Sequence, residues 1–127
     1  MSPTILIADD DPLLVKLVEY RLSACGYRVI TATDGAVALV RSTAEHPDLV
    51  VLDAMMPSLD GFEVLRRLKR APATRNIPVL MLTARKQEHD ILAALSLGAR
   101  DYLAKPFSPE ELALRIGKIL RDSAALV

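Results

Sequence analysis

Four short, nearly unbroken apolar runs recur along the chain: Ile5–Ala8, Val29–Ala32, Leu49–Leu52 and Val79–Leu82. A shorter one follows at Tyr102–Ala104. Each is too short for a buried helix and lacks the alternation of a strand with one wet face. Strands apolar on both faces belong in a parallel sheet covered by helices on both sides. The fifth run is less apolar, as expected of an edge strand.

The stretches between the runs read as helices with defined ends. Asp11-Pro12 pairs an N-cap with proline at the first helical position. Leu14, Leu17, Val18, Leu22 and Cys25 form the first apolar stripe, and Gly26 stops it. Asp34 caps a second helix through Ala36, Val37, Leu39 and Val40, ending before Pro47. A third runs from about Gly61 to Ala71 with Phe62, Leu65 and Leu68 inward. A fourth spans roughly Lys86 to Leu97, with Leu92 and Leu95 facing the sheet, Leu97 nearly opposite and Ile91 at the edge of the stripe. Ser108-Pro109-Glu110-Glu111 opens the fifth with a capping-box pattern ahead of Leu112, Ile116, Ile119 and Leu120.

The pattern is (βα)5, too few units for a closed eight-stranded barrel. The expected fold is therefore an α/β open, doubly wound parallel sheet, one domain over residues 1–127. Ligands of such sheets bind outside the carboxyl ends of the strands, where strand order reverses. Sixteen Lys+Arg balance sixteen Asp+Glu, which argues against a nucleic-acid or anionic-membrane binder. The lone Cys25 excludes an intramolecular disulfide and a cysteine zinc cage. No apolar stretch is long enough to span a bilayer and no secretory leader opens the sequence, so a cytoplasmic location is expected.

The strand ends carry the chemistry. Asp9, Asp10 and Asp11 follow the first strand, Asp53 ends the third, Thr83 the fourth, and Lys105-Pro106 follows the fifth. Asp11 is accounted for as a helix cap, Asp53 taken alone reads equally as a cap ahead of Pro57, and Lys105 alone as a solvated charge. Their joint placement on one rim is more specific. Clustered carboxylates repel one another and call for a cation; sparse oxygen ligands with open water positions suit Mg²⁺. Lys105 and Thr83 then supply a second charge and a hydrogen bond to a phosphoryl group held near a carboxylate.

The segments Ile5–Asp11, Val51–Gly61, Met81–Ala84 and Gly98–Phe107 resemble the receiver domain of two-component response regulators, in family order and spacing over essentially the whole chain. The resemblance implies a flavodoxin-like five-stranded sheet with strand order 2-1-3-4-5. It implies phosphorylation at Asp53 by a sensor histidine kinase or a histidine phosphotransfer protein. Asp9 and Asp10 match the acidic pair that binds Mg²⁺, completed by Asp53 and the backbone carbonyl of Met55. Thr83 and Lys105 match the residues that contact the phosphoryl group. Thr83 and Tyr102 match the switch pair, with Tyr102 changing rotamer on activation. Lys105–Pro106 is expected to be a cis peptide. The domain is then a signalling switch rather than a metabolic enzyme, with no membrane or direct nucleic-acid partner.

Ala54 is smaller than the bulky residue often found after the phosphoacceptor, and Met55 and Arg85 occupy variable sites flanking the path of attacking water. Three rival readings fit the residues less well. A flavodoxin-type carrier would place three aspartates against its flavin phosphate, and a haloacid-dehalogenase-like phosphatase normally has a second aspartate where Met55 stands. A receiver-like module that only binds partners would not need the intact acidic and phosphoryl-contact set. The basic run Arg66, Arg67, Lys69 and Arg70 reads as the solvated face of the third helix, His46 and His89 as isolated, and Cys25 as core. The output surface is expected on the fourth helix, fifth strand and fifth helix, its partner a second copy or a downstream protein. Asp101, Glu111 and Arg115 resemble part of the charged set through which receivers joined to winged-helix domains dimerise, while Ile91 and Arg100 depart from it.

Overall fold

A computed structural model describes residues 2–84 and 88–125. Strands and helices alternate: β1 (Thr4–Ala8), α1 (Pro12–Ala24), β2 (Arg28–Ala32), α2 (Gly35–Glu45), β3 (Leu49–Asp53), α3 (Gly61–Arg70), β4 (Val79–Ala84), α4 (Glu88–Ser96), β5 (Asp101–Lys105) and α5 (Pro109–Ala125). All strand pairings are parallel, in the order β2-β1-β3-β4-β5. The expected topology holds, with β5 at an edge. The order reverses between β1 and β3, so their carboxyl ends, Ala8-Asp9 and Asp53, flank the crevice where such sheets bind ligands.

Two cores sandwich the sheet. On one side Leu6, Val50, Leu52 and Met81 pack against Ala38, Val64, Leu65, Leu68 and Ala94 from α2, α3 and α4. On the other, Ile5, Ile7, Val51 and Leu80 meet Val15, Val18 and Leu22 of α1 and Leu112, Ile116 and Ile119 of α5. Burying each large side chain contributes about 1.5–3 kcal/mol. Among the described residues no helix is long and apolar enough to cross a membrane.

The helix ends follow the sequence. Asp11 Oδ1 accepts from Leu13 N and Leu14 N, Asp34 Oδ1 from Val37 N, and Ser108 Oγ from Glu111 N. Gly26 (φ +93°) and Gly98 (φ +107°) occupy the left-handed region just past α1 and α4.

Three helix faces differ from expectation. In α1 the sheet side is Val15, Val18 and Leu22; Leu17 and Cys25 are exposed. In α2 the buried positions are Gly35, Ala38 and Ser42, while Val37 and Val40 face solvent. In α4 Leu92 and Leu95 are exposed, Ala94 is fully buried, and Leu97 packs against the core. In α2 and α4 the helix approaches the sheet through an alanine, which brings the two backbones close and turns the longer side chains outward. The expected first turn of α4 at Lys86, and Arg85, lie outside the described residues.

Candidate functional site

Asp9 leaves β1 with its amide bonded to Ala32 O (3.1 Å) and its side chain wholly buried. Its Oδ1 accepts from Asp11 N at 2.9 Å, so the aspartate that caps α1 also orients Asp9. Asp53 ends β3, 5% exposed, with Oδ1 accepting from Met55 N at 3.2 Å. Lys105 ends β5 ahead of a cis Lys105–Pro106 bond, as expected. Its ammonium donates to Asp9 Oδ2 at 2.9 Å and to Asp53 Oδ2 at 3.2 Å. Asp10 stands exposed beside them, and one carboxylate oxygen from each of Asp9, Asp10 and Asp53 lies within 4.8 Å of the others.

Thr83 sits on β4 opposite Ala104, buried, and its Oγ1 has no hydrogen-bond partner among the described residues. A buried hydroxyl left unsatisfied is destabilising by about 1–3 kcal/mol, so this donor is available to something else. Tyr102, two residues before Ala104, shares that face of β5 and is half-buried against the α2–α3–α4 core. A cavity of about 670 Å³ opens beside Asp10, Asp53, Met55, Ala84, Lys105 and Phe107. The expected residues thus converge, apart from Arg85, which is not described.

Burial raises the Asp53 carboxyl above its ordinary value, and the neighbouring Asp9 charge raises it further; the Met55 amide and Lys105 only partly offset this. For Lys105, burial alone would lower the ammonium, but the hydrogen bond to Asp9 and the charges of Asp53 and Asp9 reverse the direction, leaving it raised. Three carboxylates face one ammonium, a surplus of two negative charges. An all-oxygen donor set with that surplus fits a hard divalent cation.

Two contacts set the loop after Asp53. Gly61, the first residue of α3, donates its amide to Ala54 O at 3.0 Å. A Cβ at Gly61 would stand 2.8 Å from Ala54 Cα and 2.9 Å from Asp53 C, and nearer still to Asp53 O. A Cβ at Gly35 would stand 2.7 Å from Leu59 Cβ, so α2 holds the loop from its other side. The cap of α3 is Asp60, whose Oδ1 accepts from Glu63 N at 2.9 Å. The Asp60–Glu63 spacing, a capping-box pattern, was the signal for it.

The family described as the response regulator receiver domain matches residues 5–117. The chain is 48% identical over 123 residues to the alkaline phosphatase synthesis transcriptional regulatory protein PhoP of Bacillus subtilis, covering 97% of this chain and 50% of PhoP. It is 46% identical over 119 residues to the DNA-binding dual master transcriptional regulator RpaA of Synechocystis, covering 94% and 49%. It therefore spans about half the length of these relatives. The receiver domain of the Francisella response regulator 1452 superposes with a TM-score of 0.89 at 33% identity, covering 96% of this chain and 99% of that one. These matches set aside the flavodoxin and dehalogenase-like readings. With the sheet order, the acidic crevice and the sequence matches in agreement, the chain belongs to the response regulator receiver domain family of two-component signalling systems.

Proposed function

We propose that this chain is a phosphorylation-controlled switch whose phosphoacceptor is Asp53. The observation that carries the reading is the buried Asp53 carboxylate, bonded through Oδ2 to Lys105 and facing a solvent-open cavity, with the Thr83 hydroxyl nearby and unpaired among the described residues. The donor is a phosphohistidine on a sensor kinase or phosphotransfer protein. An Asp53 Oδ attacks phosphorus, the bond to the imidazole nitrogen breaks, and the leaving histidine keeps the electron pair and takes up a proton.

Lys105 follows the developing charge from carboxylate to phosphoryl oxygen, and Thr83 donates to a second phosphoryl oxygen. Asp9, Asp10, Asp53 and the Met55 carbonyl would hold Mg²⁺. When bound, the ion neutralises negative charge on the transferring group and keeps Asp53 ionised. Later hydrolysis of the acyl phosphate uses the same positioning groups. As the Thr83 side chain moves toward the phosphoryl group it leaves space on the face it shares with Tyr102, and the ring can turn inward. That biases a two-state surface on α4, β5 and α5. On this surface Arg115 binds Tyr102 O at 2.9 Å and pairs with Asp101 at 3.2 Å and Glu111 at 3.5 Å. We assign the output to control of transcription, the activity that the names of PhoP and RpaA carry, exerted through a second copy or a downstream protein.

Incubation with a small phosphodonor and Mg²⁺ tests the reading. Intact mass should rise by one phosphoryl group, removable by hydroxylamine, and Asp53→Asn should abolish the adduct. A full-yield adduct on that variant would overturn the assignment, and no adduct on the wild type would favour a module that only binds partners.

A further inference from the structure

Four cations at one corner of the molecule take no part in that chemistry. Lys69 and Arg70 close α3, Arg75 lies in the turn leading to β4, and Arg100 precedes β5. Lys69 Nζ donates to Arg75 O at 3.1 Å and to Ile77 O at 2.7 Å, and a Cβ at Gly98 would stand 3.2 Å from Lys69 Cγ. Arg100 N donates to Val79 O at 2.8 Å. This corner is the N-terminal rim of β4. Asp53 pairs with Leu82, three residues further along that strand, or about 10 Å toward the opposite rim.

The surplus of charge is real once its neighbours are counted. Of the basic run on α3, Arg66 and Arg67 close on Glu63, with Nε to carboxylate distances of 2.9 and 2.8 Å. Lys69, Arg70, Arg75 and Arg100 have no carboxylate within ion-pair distance among the described residues. Two helix C-termini, those of α3 and α4, end here, and each supplies about half a negative charge. Roughly one negative charge therefore meets four positive ones. Burial, and then the charge of Arg100, hold the Lys69 ammonium below its ordinary value. Arg70, Arg75 and Arg100 are exposed, so their forked donors are free to bind.

We propose that this corner docks an acidic protein segment whose carboxylates pair with Arg70, Arg75 and Arg100. Two features favour protein over nucleic acid, with Asp48 on the same rim, its Oδ2 accepting from Thr4 N at 2.7 Å, repelling carboxylate and phosphate alike. The exposed arginines Arg70, Arg75 and Arg100 are a small cationic footprint for a nucleic-acid binder, whose hold comes largely from the phosphates it neutralises. In addition α4, which ends at Gly98 beside Lys69, exposes Leu92 (67%) and Leu95 (41%). An amphipathic acidic segment covers such leucines, whereas a phosphate backbone has no use for them.

Fluorescence anisotropy on the unphosphorylated chain tests the proposal independently of Asp53 chemistry. The probes are a short labelled peptide of glutamates and leucines, its glutamine counterpart, and oligothymidylate of equal length. The glutamate peptide should bind, more weakly as salt rises. Arg75→Gln with Arg100→Gln should weaken it by about tenfold or more, since charge-assisted hydrogen bonds are lost. Arg28→Gln, at the β2 end of the rim where Arg28 pairs with Glu45, should leave it unchanged. No binding by the wild type, equal binding of the glutamine peptide, or full binding by the double variant would overturn the proposal. So would tighter binding of oligothymidylate. Removing two repelling cations should not lower the melting temperature; a clear fall would mark the arginines as structural and overturn the proposal as well.

Discussion

Gly61 is where the fold and the site share one contact, and Gly61→Ala tests how tight it is. The added Cβ would meet Ala54 Cα at 2.8 Å and Asp53 C at 2.9 Å, both backbone atoms at the end of central strand β3. Ordinary carbon–carbon contact begins near 3.5 Å, so α3 must retreat by roughly 0.6–0.7 Å, and more to clear Asp53 O. Overpacking of this kind costs about 1–3 kcal/mol, and stretching the Gly61–Ala54 hydrogen bond (3.0 Å) adds up to about 1 kcal/mol. The better helix propensity of alanine returns at most about 1 kcal/mol. The net loss is about 1–3 kcal/mol, which for a domain of this size lowers Tm by roughly 4–12 °C. Gly117→Ala is the matched control. Its Cβ would meet only the mobile end of Arg121 (3.3 Å) and Tyr27 Oη (3.9 Å), so up to about 1 kcal/mol of stabilisation is expected. Thermal and urea unfolding followed by circular dichroism measure both. Because the crowded atoms belong to Asp53 and Ala54, Gly61→Ala should also slow phosphoryl uptake at temperatures where it is fully folded. A Gly61→Ala melting temperature within about 2 °C of wild type, or an equal loss in Gly117→Ala, would refute the close-approach argument.

Three further outcomes follow from the site and its flank. Thr83→Val replaces a buried hydroxyl that has no partner among the described residues with a methyl group, so it should stabilise the unmodified protein by about 1 kcal/mol while weakening capture of beryllofluoride; a lower melting temperature would contradict the unpaired assignment. Lys105→Met strands the Asp9 and Asp53 carboxylates without their cation and should cost about 2–4 kcal/mol, discounted for the 31% exposure of the lysine. Millimolar Mg²⁺ should recover part of that loss in thermal melts, and an unchanged gap would argue against a cation site. Hydrogen bonds from Arg66 and then Arg67 lower the Glu63 carboxyl from 4.5 to about 2. Its contribution is therefore present above pH 4.5 and disappears as pH falls toward about 2. Glu63→Gln should melt lower at neutral pH, with a gap that closes across that acid window and shrinks in high salt; a gap independent of pH would exclude the ion pairs as its cause.

Elements whose polar residues fall on one side were readable without coordinates. In α3, Glu63, Arg66, Arg67 and Arg70 mark the wet side; Leu65 and Leu68 are buried as expected, Phe62 is half-buried against the same core, and Val64 joins them although the expected stripe left it out. In α5 the same holds for Leu112, Ile116 and Ile119. The unbroken apolar runs specified a parallel sheet because a strand wet on one face could not afford them. The site was readable for a related reason: strand ends in such a sheet share a rim, so residues remote in sequence, Asp9, Asp53, Thr83 and Lys105, had to converge.

Tertiary packing decided the rest. In α1, α2 and α4 apolar or small residues lie on more than one side, and periodicity alone does not choose between faces. Contact with the sheet chose Val15, Ala38 and Ala94 over Leu17, Val40 and Leu92, because for α2 and α4 close backbone approach outweighs burial of the larger side chain. The cation corner has the same origin. Lys69, Arg75 and Arg100 come from an α-helix, a turn and the residue before an edge strand, and only the chain's return beside β4 brings like charges together.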